Sequence, residues 1–235
     1  MIKAWIVQIN STAPDSLSWA AQESPVSAPQ ELSVLDLALK GGLIMIPLLI
    51  LSIIAVYIFV ERLLTIRKAG AYDPQFMGVI KQYIQEGKLE GARSLCRGAN
   101  TPVARMIEKG LSRIGRPLND ISAAIENVGK LEIYRLEARL NLLATIAGAA
   151  PMLGFLGTVI GMIRALYNMS NQPEINIALL SGGIYEAMVT TVGGLIVGIM
   201  AYVFHNLLIA QVEKVVNSLE ARSIEFLDLL NEPAR

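Results

Sequence analysis

The chain has 235 residues, 53% of them hydrophobic and 17% charged, with twenty Lys and Arg balanced by twenty Asp and Glu. The charged share falls below the usual quarter or so of a soluble domain, which points to a membrane protein, and the zero net charge leaves no footprint for nucleic acid. One cysteine, Cys96, and one histidine, His205, exclude an internal disulfide framework and leave no thiolate or imidazole set for a metal.

Residues 1–30 begin with Lys3 and then Ala-Trp-Ile-Val, like a signal peptide, but Gln8, Asn10 and Ser11 interrupt the apolar stretch. The Ser-, Ala- and Pro-rich part from Ser11 to Gln30 reads as disordered. In residues 31–40, Leu32, Leu35 and Leu39 recur at helical spacing beside Glu31 and Asp36. That pattern suits an amphipathic helix lying on the membrane surface, and equally an extension of the first span. Residues 41–62 follow, and nothing between Lys40 and Glu61 is charged. A span needs about twenty predominantly apolar residues, so this run qualifies as the first transmembrane helix.

Residues 63–139 read as a helical domain. Asp73-Pro74 and Thr101-Pro102 each pair an N-cap with a proline at the first helical position, and Gly87 and Gly98 suit helix ends. The spacing predicts helices near 74–86, 88–97 and 102–114. After Pro117, Asn119 or Asp120 caps a further helix, with nothing to stop it before the membrane. The expectation is one continuous helix running into the second span, residues 140–168, which is charge-free between Arg139 and Arg164. The third span falls in residues 175–208, and residues 209–235 continue it as a helix. The fold class is therefore an all-α membrane protein, three transmembrane helices with long helices 2 and 3 extending into a cytoplasmic bundle. Most of the Lys and Arg residues lie between Glu61 and Arg139, so the positive-inside rule puts that segment and the C-terminus in the cytoplasm and the N-terminus outside.

The second and third spans carry the informative residues. Small residues recur every three or four positions in both: Gly154, Gly157 and Gly161 in one, Gly183, Gly194 and Gly198 in the other. In lipid such stripes let helix backbones approach closely, and packing is their role here. Glu186 is the one acidic residue in these runs. A carboxylate in hydrocarbon is costly, so intramembrane acids face a protein interior or a water cavity, where desolvation makes the protonated form accessible. That suits a proton relay; an interfacial position or a structural hydrogen bond are the other readings. Thr158, Thr190 and Thr191 could order water or pass protons near mid-membrane, although a membrane threonine ordinarily bonds back to its own helix. Arg164 should snorkel to the headgroups, and Cys96 is expected to be core.

The stretches APMLGFLGTVIGMI and GGIYEAMVTTVGGLIVGIMAY carry the paired patterns GxxGTVxGM and GxxEAxxTTxxG. Together they resemble the MotA/TolQ/ExbB proton-channel family, and three spans fit its ExbB/TolQ branch better than the four-span stator branch. The resemblance implies an ExbB-like homopentamer around a pore in the bacterial inner membrane, enclosing a dimer of ExbD- or TolR-like single-span partners. It implies that an aspartate of that partner carries protons, with Glu186, Thr158 and Thr191 matching the family's pathway positions. A TonB- or TolA-like protein would then transmit force. The N-terminal extension departs from the shorter members.

Other classes fit less well. A secondary transporter would also hold an intramembrane acid, but the chain lacks an inverted repeat and has too few spans to enclose a path alone. A passive scaffold explains the small-residue stripes and not Glu186. No nucleophile–base pair, phosphate loop or cofactor motif marks an enzyme.

Overall fold

A computed structural model describes residues 41–71, 75–172 and 177–231. The readings of residues 1–30 and 31–40, and of the Asp73-Pro74 cap, lie outside the described residues. One compact unit, Ala38–Arg235, contains everything described; the other, Met1–Leu37, lies outside.

Helix α1 runs Met45–Gly70, with Pro47 in its first turn, where a missing N–H costs nothing. Arg67 and Lys68 sit in its last turn, against the negative end of the helix dipole. Leu48, Ala55, Ile58, Arg62 and Ile66 form its buried ridge, while Leu49, Ile53, Tyr57 and Leu64 face outward. Three short helices follow: α2 Phe76–Gln85, α3 Leu89–Ala99 and α4 Pro102–Leu111. Gly87, at φ +71°, ends the turn after α2. Asn100 closes α3 in the left-handed conformation, a role the sequence suggested for Gly98. Asn tolerates that region because its short side chain bonds locally, and here its backbone N–H also reaches the Cys96 carbonyl. Thr101 caps α4, its hydroxyl accepting from the Ala104 N–H at 3.3 Å, and Pro102 occupies the first position. The helix stops at Leu111, short of the expected 114.

Helix α5 spans Leu118–Glu137 and α6 spans Leu140–Ser170. Pro117 takes the N-cap position, which puts Asn119 and Asp120 inside the first turn. The expected uninterrupted helix is broken at Ala138–Arg139: Ala138 is extended and Arg139 has φ +68°. A left-handed arginine costs about 1–2 kcal/mol. The break is tied down from outside its own helix, because Arg139 Nη1 donates to Glu61 Oε2 of α1 at 2.8 Å. With the break, α5 turns Ile125 and Leu136 into the core near α4 while α6 keeps its glycine face on α7. Pro151 is carried inside α6 without ending it.

Helix α7, Ile177–Asn231, has 55 residues. At 1.5 Å per residue it is about 80 Å long, against about 30 Å of hydrocarbon, so it is far longer than a single crossing needs. It is the common support of the molecule. Helices α1, α2, α4, α5 and α6 all pack on it, and α3 joins through α2 and α4. Within the membrane portion Phe59 of α1 stacks on Phe204 of α7, centroids 4.0 Å apart. At the far end Phe226 is fully buried, with Ile107, Leu111 and Ile125 in the same core. Among the described residues, three helices are long and apolar enough to cross a membrane. The protein is an all-α membrane protein.

Candidate functional site

The α6–α7 pair is set by glycine. The helices run antiparallel, and contacts climb one as they descend the other. A Cβ on Gly198 would lie 2.6 Å from Pro151 Cγ, and one on Gly194 would lie 2.6 Å from the Ala150 carbonyl oxygen and 2.8 Å from Gly154 Cα. One on Gly154 would come within 3.0 Å of the Thr190 carbonyl. One on Gly157 would run into the Thr190 hydroxyl, one on Gly161 would come within 2.9 Å of Ala187 Cβ, and one on Gly183 would meet Ala165 Cβ. At this separation no larger side chain fits between the two backbones, and dispersion contacts along the seam replace the hydrophobic effect that lipid cannot supply.

The threonines have three different situations. Thr190 is 2% exposed, and its hydroxyl donates to the Ala187 carbonyl of its own helix at 2.7 Å. Thr191 reaches across, donating to the Gly154 carbonyl of α6 at 3.2 Å. Thr158 is half-buried and bonds back to the Phe155 carbonyl at 2.6 Å. So one of the three hydroxyls ties the two helices together, and two make the local bond that membrane threonines ordinarily make.

Glu186 stands one turn from Thr190 and is half-buried. Its carboxyl borders a cavity of about 90 Å³ lined by Gly41, Leu43, Gly157, Gly161, Arg164 and Thr190, among others. That volume has room for a few water molecules, with Glu186, Arg164 and Thr190 as the polar side chains on its wall. The segment leading into α1 forms one wall. Gly42 has φ +65°, and a side chain there would collide with Glu186 Oε1. Glycine is therefore required twice at this position, for its backbone and for the carboxyl beside it. Among the described residues Glu186 makes no hydrogen bond or ion pair, and Arg164, exposed, shares its cavity. The structure thus brings Glu186, Thr190, Gly157 and Gly161 together and adds Gly41, Gly42 and Arg164. Thr158 and Thr191 lie outside this cavity lining. Pointing into a central space is a property of an assembly; within the chain the carboxyl turns toward the α1 approach. The signal for Gly41-Gly42 was present in the sequence, as a glycine pair between Lys40 and the apolar run.

A second polar cluster gave no sequence signal. Glu132 of α5 is 3% exposed and accepts from Arg105 of α4 through both oxygens, at 2.9 and 2.5 Å, and from Arg135 at 2.7 Å. Arg105 also donates to the backbone and side-chain oxygens of Asn100. Arg62 of α1, itself buried, donates to the Arg135 carbonyl at 3.3 Å and to Glu61 at 2.8 Å. With Arg139 on Glu61, the chain of contacts links α1, α4, α5 and the α5–α6 break. Cys96 is core, 1% exposed, and burial, with Glu108 adding to it, pushes its thiol up to about 12.

The family model described as the MotA/TolQ/ExbB proton channel family matches residues 98–221, which include α6 and the membrane part of α7. The chain belongs to that family. Among individual relatives, the Tol-Pal system protein TolQ of Haemophilus influenzae is 30% identical over 215 residues, covering 84% of this chain and 92% of TolQ. An ExbB-like biopolymer transport protein of Synechocystis is 29% identical over 170 residues, 72% of this chain and 81% of the relative. The biopolymer transport protein ExbB of Neisseria meningitidis is 27% identical over 176 residues, 68% of this chain and 78% of its own length.

Proposed function

We propose that this chain is the channel subunit of a bacterial inner-membrane motor driven by the proton-motive force. Residues 41–62, 140–168 and 175–208 are its spans, residues 1–30 lie in the periplasm with residues 31–40 at the outer membrane surface, and residues 63–139 and 209–235 lie in the cytoplasm. A ring of five copies encloses a dimer of ExbD- or TolR-like single-span partners, and proton flow through the complex does work on a TonB- or TolA-like protein. Glu186 and Thr190 at the small cavity are the proton-handling groups of this chain, with Thr158 and Thr191 further along the path. The observation that carries the reading is Glu186: an acid on a membrane helix, half-buried beside a water-sized cavity and Thr190.

The test is proton flux into vesicles containing the chain together with its single-span partner. Flux that collapses when Glu186 is replaced by Gln supports the motor; a sealed complex in every condition favours a non-conducting scaffold. The extensive match to a TolQ favours a second reading of the driven process, envelope maintenance through a Tol system in place of ExbB-type transport. Deleting the gene and scoring outer-membrane leakage against loss of TonB-dependent uptake separates the two.

A further inference from the structure

Beyond the membrane, α4 and its following turn present three cations at one-turn spacing: Lys109, Arg113 and Arg116. None of them makes an ion pair or side-chain hydrogen bond among the described residues. They border an open groove of about 480 Å³ that Ala123, Asn127, Val128 and Leu131 also line, with Asp120 as the one acid in it. Leu131 is 50% exposed. On α7, Glu220, Ile224 and Asp228 fall four residues apart on one ridge, all exposed, with Ile224 60% exposed. Glu225 beside them is already paired to Arg222, so Glu220 and Asp228 are the acids left to serve a partner.

The two faces lie at the same height. A Cβ on Gly110, next to Lys109, would come 2.6 Å from the Phe226 ring and 2.8 Å from Ile125, which puts the cationic groove and the Ile224–Asp228 ridge on one layer of the core. Height matters because copies of a membrane protein share one orientation and one depth. Two copies can then be related only by rotation about the membrane normal, and surfaces that meet must be level. A contact between two different surfaces of identical chains is head-to-tail and closes into a ring when the rotation permits.

From this we infer that the groove of Lys109, Arg113 and Arg116 receives the Glu220–Ile224–Asp228 ridge of a neighbouring copy. The apolar pair Ile224 and Leu131 forms the centre of the contact, and the opposite charges flank it and fix its register. Charge complementarity of this kind sets orientation and suppresses the wrong pairings, groove on groove or ridge on ridge. The inference rests on the ring reading above and adds the surface through which neighbouring copies meet outside the membrane.

Two differently tagged full-length chains, one with Leu131→Cys and one with Ile224→Cys, are co-expressed in the membrane and oxidised. The expected result is a disulfide between the two tags, with neither chain forming a comparable bond to its own kind. Arg113→Glu with Arg116→Glu on the groove chain should lower the cross-linked fraction about tenfold, and Glu220→Lys with Asp228→Lys on the partner chain should restore it. A ring that persists under amine cross-linking, with no such disulfide and no effect of charge reversal, overturns this interface and leaves the ring reading standing. Chains that stay monomeric under amine cross-linking overturn both.

Discussion

Glu186 and Gly42 act as a pair, and their pairing makes separable predictions. Glu186→Gln keeps size and hydrogen bonding but cannot exchange a proton, so the driven process should stop while the protein still accumulates in the membrane. Glu186→Asp keeps the proton site at shorter reach and should retain part of the activity; full activity in the Gln variant would show the carboxyl to be structural only. Gly42→Ala should damage the same activity without touching the acid, since it strains a positive φ and pushes on Oε1. Cys96 gives a residue-scale check of the core. Its thiol is pushed from 9.0 to about 12, so at pH 8 its thiolate fraction is about a thousandfold lower than that of a free thiol. Native protein should resist maleimide for hours and label within minutes in SDS. Fast labelling of the native protein would mean that the short-helix core opens.

Among the elements, the α6–α7 seam and the ion cluster depend on opposite physics. At the seam, bulk is the hazard. Gly194→Val places methyls where the Ala150 carbonyl and Gly154 already sit, so helix separation or overpacking should cost about 1–3 kcal/mol. Gly148→Ala and Gly182→Ala have no atom within 4 Å and should leave the thermal midpoint unchanged. Equal loss in all three would remove the seam as the explanation. In the ion cluster, absence is the hazard. Glu132→Ala leaves Arg105 and Arg135 facing each other without their shared acid. Breaking a buried pair costs about 3–5 kcal/mol, but these arginines are partly exposed, so about 2 kcal/mol is expected after solvent screening. Thermal unfolding of the purified protein measures it, and the loss should shrink in the double variant Glu132→Leu/Arg105→Met.

At the scale of the molecule, α7 is both a membrane helix and the spine of the extramembrane helices. The short helices α2, α3 and α4 have 10, 11 and 10 residues, too short to persist alone. They are held because Val212, Val215, Leu219 and Phe226 of α7 complete their core. Phe226→Ala should therefore cost about 3–5 kcal/mol, and a stop codon after Asn217 should expose the whole segment 76–137 to protease while the membrane spans stay protected. Protease resistance of that segment in the truncated chain would show that it folds independently of α7.

Much of this protein was legible in its sequence because the deciding physics is local. A charge-free run of membrane length, a Thr-Pro cap and a small residue every third or fourth position mean the same thing whatever surrounds them. The three long apolar helices, the start of α4 and the glycines that meet across α6 and α7 were readable on those terms. What the tertiary structure decided are choices between distant groups. Nothing in Ala138-Arg139 announces a break, since neither is Gly or Pro; Glu61 of α1 binds Arg139 there, and α5 turns to meet α4. Asn100 and not Gly98 ends α3. Glu132 carries no mark in the sequence, and folding buries it against Arg105 and Arg135. The surroundings of Glu186 also come from folding: the sequence marked the acid, but the glycine against it comes from the segment leading into α1 and the arginine beside it from α6. Periodicity reports which face a helix hides, and only packing decides which partner it hides against.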